Sequence, residues 1–176
     1  GDEVVIYCAQ GYGSYTYSGG QTAPSSRRGN VGNYEFLTVD SVDSSTKTIT
    51  FTSAKEKYYG NVASLDSAVG TGGSEMKVVV QRVPNYENLT LNESSTLTCS
   101  NWDGYKGGLV FFRVGSTLIN NGYIDAAGKG YRGGPGGGFT TYSATGESIM
   151  GGPFSTTSSS TSSRNDGGAG NPTGSE

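Results

Sequence analysis

Apolar and polar residues alternate along this chain in short runs at the period of two that marks extended strands, and no stretch sustains helical spacing. Residues 3–9 (EVVIYCA) carry Val4, Ile6 and Cys8 on one face and Val5, Tyr7 and Ala9 on the other, so both faces are apolar. A strand of that kind belongs in the middle of a sheet. Being terminal, it can fill its own sheet or, exchanged, that of a neighbouring copy, and the sequence leaves both open. Residues 34–39 and 47–52 alternate on either side of a turn-rich DSVDSST and predict a hairpin. Residues 54–73 read as irregular. Strands follow over 76–83, stopped by Pro84, then over 86–91 and 95–100. Short apolar segments at 107–114 and 117–124 are separated by Gly and Asn turns. Strand follows strand about every ten residues, which predicts an all-β chain, sandwich-like or jelly-roll-like.

Two segments depart from that pattern. Residues 109–130 alternate brief strands with Gly and Asn breaks, the rhythm of rungs in a β-solenoid; a plain meander at the edge of a sandwich is the competing reading and the preferred one. Residues 131–176 are a Gly- and Ser/Thr-rich extended tail beyond a β-rich domain spanning 1–130. The tail contains YRGGPGGG and the hydroxyl run STTSSSTSS, neither of which can bury side chains. Ordering such a backbone costs roughly 1–2 kcal/mol per residue. Contacts from neighbouring copies would offset that cost, which puts Gly133, Gly134 and Pro135, with Val4, Val5, Ile6 and Tyr7, at an expected subunit interface. Val78 and Val80 are expected to fill pockets on a partner. Residues 10–33, rich in Tyr, Gly and Ser, suit a surface loop or aromatic contact patch.

Composition narrows the function. Of 176 residues 30 are glycine, only 32% are hydrophobic and 15% charged, a balance that fits a secreted β-rich surface protein with a modest core. A net charge of -3, with no basic cluster beyond Arg27-Arg28, argues against a nucleic-acid partner. No apolar run reaches the roughly 18 residues of a membrane span. The absence of Met at position 1 fits a mature exported chain, an engineered start being the alternative. Cys8 and Cys99 are expected to form a disulfide stapling the first strand to the later sheet, worth about 4 kcal/mol by chain entropy; two buried thiols in a reducing compartment are the alternative.

Chemistry is sparse. With no histidine and no Ser-x-x-Lys motif, a nucleophilic triad has no base. Paired carboxylates, Asp103 and Asp125, are the remaining catalytic candidates, as in glycoside cleavage. Turn aspartates more often bond their own backbone. Trp102 and Tyr105 flank an Asp-Gly turn that could stack on a sugar ring, against the plainer reading that Trp102 covers the end of the core. Asp40, Asp43 and Asp103 offer oxygen ligands for calcium without completing a loop signature. No metal, cofactor or catalytic residue is expected. Asn88 and Asn92 head Asn-x-Ser/Thr sequons on one face of an extended segment, expected to be solvent-exposed glycosylation sites.

Residues 88–134, NLTLNESSTLTCSNWDGYKGGLVFFRV followed by IDAAGKGYRGG, together with the hairpin at 36–53, resemble a module of glycine-rich secreted surface and fibre proteins of microbes. Residues 133–138 are similar to the extended polyglycine of phage adhesin tips. The resemblance implies extracellular structure or attachment, with no catalytic residues to transfer. The expected function is therefore a secreted subunit that self-assembles into an extracellular filament or matrix by strand addition between copies. The alternatives are a carbohydrate-binding adhesin or phage-fibre module and a polysaccharide-active enzyme. Its expected partners are copies of itself, and polysaccharide at a cell surface or in a matrix.

Overall fold

The computed structural model describes residues 1–11, 29–71 and 75–132. Most of the Tyr/Gly loop at 10–33 and the tail from residue 133, with Gly133, Gly134 and Pro135, lie outside the described residues. Eight strands run in order: β1 Glu3–Gln10, β2 Tyr34–Asp43, β3 Thr48–Phe51, β4 Lys77–Arg82, β5 Asn85–Leu91, β6 Thr96–Thr98, β7 Arg113–Asn120 and β8 Tyr123–Asp125. The described residues contain no helix, and a mainly β fold is what the alternating sequence demands.

The two-faced apolar strand takes the central position. A four-stranded sheet has the order β3-β2-β1-β4, and Val4, Val5, Ile6, Tyr7, Cys8 and Ala9 are all buried in it. Antiparallel pairing runs from Glu3↔Thr38 to Tyr7↔Tyr34. The predicted hairpin is β2–β3, with a register shift between Val39 and Ser41 that lets β2 reach Asp43. Asp43 closes it. Its carboxylate accepts hydrogen bonds from the Ser45 amide, the Ser45 hydroxyl and the Thr46 amide, which together hold its pKa down to about 2.

Two parallel pairs follow, and the sandwich or jelly-roll expectation is not confirmed. β5 pairs with β7 and β6 with β8, each strand lying beside one roughly 28 residues later. The turns between them stack as well: the Asn121 amide donates to the Leu91 carbonyl, Tyr123 to Ser95 and Trp102 to Lys129. Parallel in-register pairing of a strand-turn-strand with its own continuation is the arrangement found in β-solenoid rungs, and it differs from the antiparallel pairing of a meander. The sequence pattern places a break at Gly115-Ser116, between short apolar segments at 107–114 and 117–124. The Gly-Ser pair instead rides inside β7 beside a register shift between Tyr86 and Asn88, and residues 109–112 are not strand.

The chain divides into two compact units, the boundary crossing β1 after Tyr7 and β4 before Val79. The first holds residues 1–7, 34–57 and 79–130. Its core includes Val4, Val5, Ile6, Leu37, Val83, Leu91 and Trp102. Two contacts lock its first strand to the start of the solenoid. Arg113 Nε lies 2.7 Å from Glu3 Oε2, which also accepts from Asn85 Nδ2, while Phe111 packs against Tyr7 and Phe36 at ring separations of 5.8 and 6.3 Å. The hydrogen bond from Arg113 chiefly holds the Glu3 carboxyl below its ordinary range.

The second unit comprises residues 8–33, 58–78 and 131–176. Among its described residues, side-chain hydrogen bonds organise the chain read as irregular, with Asp66 accepting the Tyr59 amide and Asn30 making several more. Asn30 Nδ2 donates to the carbonyls of Gly60, Val62 and Leu65, gathering a loop that has no strand of its own. Cys8, Ala9, Val31, Tyr59 and Met76 are buried there, and the Tyr131 hydroxyl donates to the Ala9 carbonyl.

Candidate assembly edge and groove

The solenoid owes its shape to its corners. In the turn after β6, residues 104–108 read GYKGG, with φ of 104°, 95° and 79° at Gly104, Gly107 and Gly108. These left-handed conformations suit glycine alone. A Cβ on Gly107 would also stand 2.3 Å from the Asn101 carbonyl oxygen, so the turn admits no side chain there. The next coil is tight at its own corner, where a Cβ on Gly122 would stand 2.4 Å from the Ser95 carbonyl oxygen. The same five-residue motif recurs one coil later as GYRGG at 130–134. That recurrence is the sequence signal for stacked coils, and strand-by-strand reading passes over it.

Each coil presents an edge. Among the described residues, β5 pairs with β7 alone and β6 with β8 alone, so each strand has one side of its backbone unpaired. On the β7–β8 rung Leu118, Ile119, Tyr123 and Ile124 are 43%, 47%, 65% and 43% exposed. Parallel strands are ordinarily covered on both faces, so this is an unusual surface.

Beside the first coil lies a groove of about 580 Å³, walled by the free side of β4 and by residues 97–112. Val79, Tyr86 and Phe111 supply apolar surface; Gln81, Asp103 and Lys106 supply polar groups. Cys99 opens into it as a free, half-buried thiol. Cys8 is free too, so the expected staple is not formed. Strand alternation turns Cys8 away from the face of Tyr7, whose ionisation is opposed by burial and then by Cys99. Cys8 Sγ instead donates to the Gln10 carbonyl, and burial pushes its thiol pKa up to about 11.

The remaining candidates fall as follows. Trp102 is 5% exposed, so it covers the core and offers no face to a sugar; only Tyr105 of that pair is exposed. Asp103 accepts the amides of Tyr105 and Lys106, which keep it ionised, and Asp125 accepts the Ala127 amide. Both carboxylates close their own turns. Asp40 and Asp43 lie on exposed β2, and no group of three potential metal ligands occurs among the described residues. Asn88 on β5 and Asn92 after it are exposed, as their sequons require. Val80 on β4 is exposed and Val78 half-buried. Val4, Val5, Ile6 and Tyr7 are engaged inside their own chain's sheet.

No helix among the described residues is long and apolar enough to cross a membrane. Comparison with protein families, curated proteins and solved structures finds no match to this chain.

Proposed function

We propose that this chain is a secreted structural subunit that polymerises by backbone strand addition into an extracellular filament or matrix. One observation carries the reading: among the described residues the β7–β8 rung has no strand paired to its outer edge, which is flanked by exposed Leu118, Ile119, Tyr123 and Ile124. An apolar strand edge is a template for another strand, and natural chains that do not use such an edge blunt it with charge, proline or a covering loop. β7 has one charged residue, Arg113, and no proline. The low charge and high glycine and hydroxyl content fit an extracellular setting. Because β1 is bonded within its own chain, we place strand addition at the solenoid and not at exchange of residues 3–9. Electron microscopy and sedimentation of the purified full-length chain over a range of concentrations test the reading. Polymers above a critical concentration are expected; discrete monomers at several hundred micromolar would refute it.

The groove favours a second reading, a carbohydrate-binding adhesin. Its exposed Tyr86 can stack on a sugar while Asp103 and Lys106 bond hydroxyls. Glycan binding by the wild type that Tyr86→Ala abolishes would support it.

A further inference from the structure

Among the described residues β5 and β6, like β7 and β8, are paired on one side only. We infer that the β7–β8 edge of one copy receives the outer edge of β5–β6 of the next, so that copies join head to tail and the solenoid continues from chain to chain. This inference rests on the polymer reading above and specifies its contact.

Three observations point to a second copy as the occupant. First, the chain already contains the joint. Coil one and coil two pair in parallel register, with Leu89 beside Leu118 and Leu97 beside Ile124. In a parallel stack the side chains of one column align whichever edge is used, so a neighbour's first coil repeats those columns on top of the second. Leu118 then meets the neighbour's Leu89, and Ile124 meets its Leu97. Second, the sequence repeats GY-(K/R)-GG, at 104–108 and again at 130–134. Third, the charges are complementary. Residues 85–103 hold Glu87, Glu93 and Asp103 with no base, whereas residues 113–130 hold Arg113 and Lys129 against Asp125. Stacking an acidic coil on a mildly basic one is favoured, and stacking two like coils is not. The joint is therefore heterologous, and a heterologous joint that does not close makes an open, polar fibre.

The backbone supplies the handle for a test. The Asn121 amide donates to Leu91, so by the alternation of a parallel ladder the amide of Asn120 faces the open side. Asn120→Pro deletes one outward donor and leaves the internal ladder whole, whereas Asn121→Pro removes an internal bond. In the full-length chain, Asn120→Pro is expected to leave the melting temperature of the dilute protein unchanged and to raise the critical concentration for polymer about tenfold. Added below equimolar amounts to wild type, it should bind through its intact first coil, cap one end and shorten the fibres. Leu118→Lys, which places a charge in the stacked column without touching the backbone, should do the same if the proline variant fails to fold. Amide exchange at Leu118 and Asn120 should be fast in dilute wild type and slow in polymer.

Wild-type polymer unaffected by both substitutions would overturn the joint while leaving the polymer reading standing. Absence of polymer from wild type would overturn that reading and the joint with it. Slow exchange at Leu118 and Asn120 in dilute protein, independent of concentration, would show that the chain's own later residues cover the edge, and would also overturn the joint.

Discussion

Deleting a single oxygen from the central strand should make this protein more stable. Tyr7 is 5% exposed, its ring packs on Phe111 at 5.8 Å, and its hydroxyl has no hydrogen-bond partner among the described residues. A buried hydroxyl left unsatisfied costs about 1–3 kcal/mol in lost hydration. Tyr7→Phe removes the hydroxyl and keeps the ring, so the gain expected is about 1 kcal/mol, the low end, allowing for the small void left behind. For a domain of this size that raises the melting temperature by roughly 2–4 °C, readable by circular dichroism. Alkaline pH adds a second signature. Burial, then the neighbouring Cys99, raises the Tyr7 pKa above its ordinary 10.0. Below pH 10 the phenol is neutral folded and unfolded, and ionisation contributes nothing. Above pH 10 the unfolded chain ionises first, so wild type weakens and the advantage of Tyr7→Phe should widen. A variant at least 1 kcal/mol less stable than wild type at pH 7 would refute the reasoning.

Cys8 gives a related test. With its pKa raised from 9.0 to about 11 by burial, stability should fall by on the order of 2 kcal/mol as pH rises through that window, because the unfolded thiol ionises first. Denaturant titrations of Cys8→Ala should show a shallower slope there than wild type. Gly107→Ala should lose at least about 2 kcal/mol in urea melts, since a residue at φ 95° meets the Asn101 carbonyl. Glu3→Gln should flatten the acid limb of the stability curve. The Glu3 pKa is lowered from 4.5, so its contribution is present above that value and disappears as pH falls through the lowered one.

The parts of this fold that local pattern encodes were legible. Two-sided apolarity in residues 3–9 requires a central strand, and β1 is one. Alternation on both sides of DSVDSST requires a hairpin, and Asp43 closes it. The solenoid was harder to see because its pairing partners lie roughly a coil apart, where no short window joins Leu89 to Leu118. Gly115-Ser116 has the composition of a turn, yet the pair sits as a bulge inside β7, two residues opposite the single Glu87 of β5. Trp102 could be placed beside a turn from sequence, but its burial depends on the stacking of residues 102 and 129, which the sequence does not announce. Cys8 and Cys99 are both free thiols, which their count and spacing in the sequence do not announce.

The place of β1 between β2 and β4 bears on how the chain answers to pulling. Tension applied at the amino terminus acts along a strand bonded on both flanks, so many ladder bonds bear the load together and must yield at nearly the same moment. The β2–β3 hairpin at the sheet margin has one flank only and peels bond by bond. Stretching should thus spare the amino-terminal anchorage while the margin gives way, and that order is a property of the weave and not of any single contact.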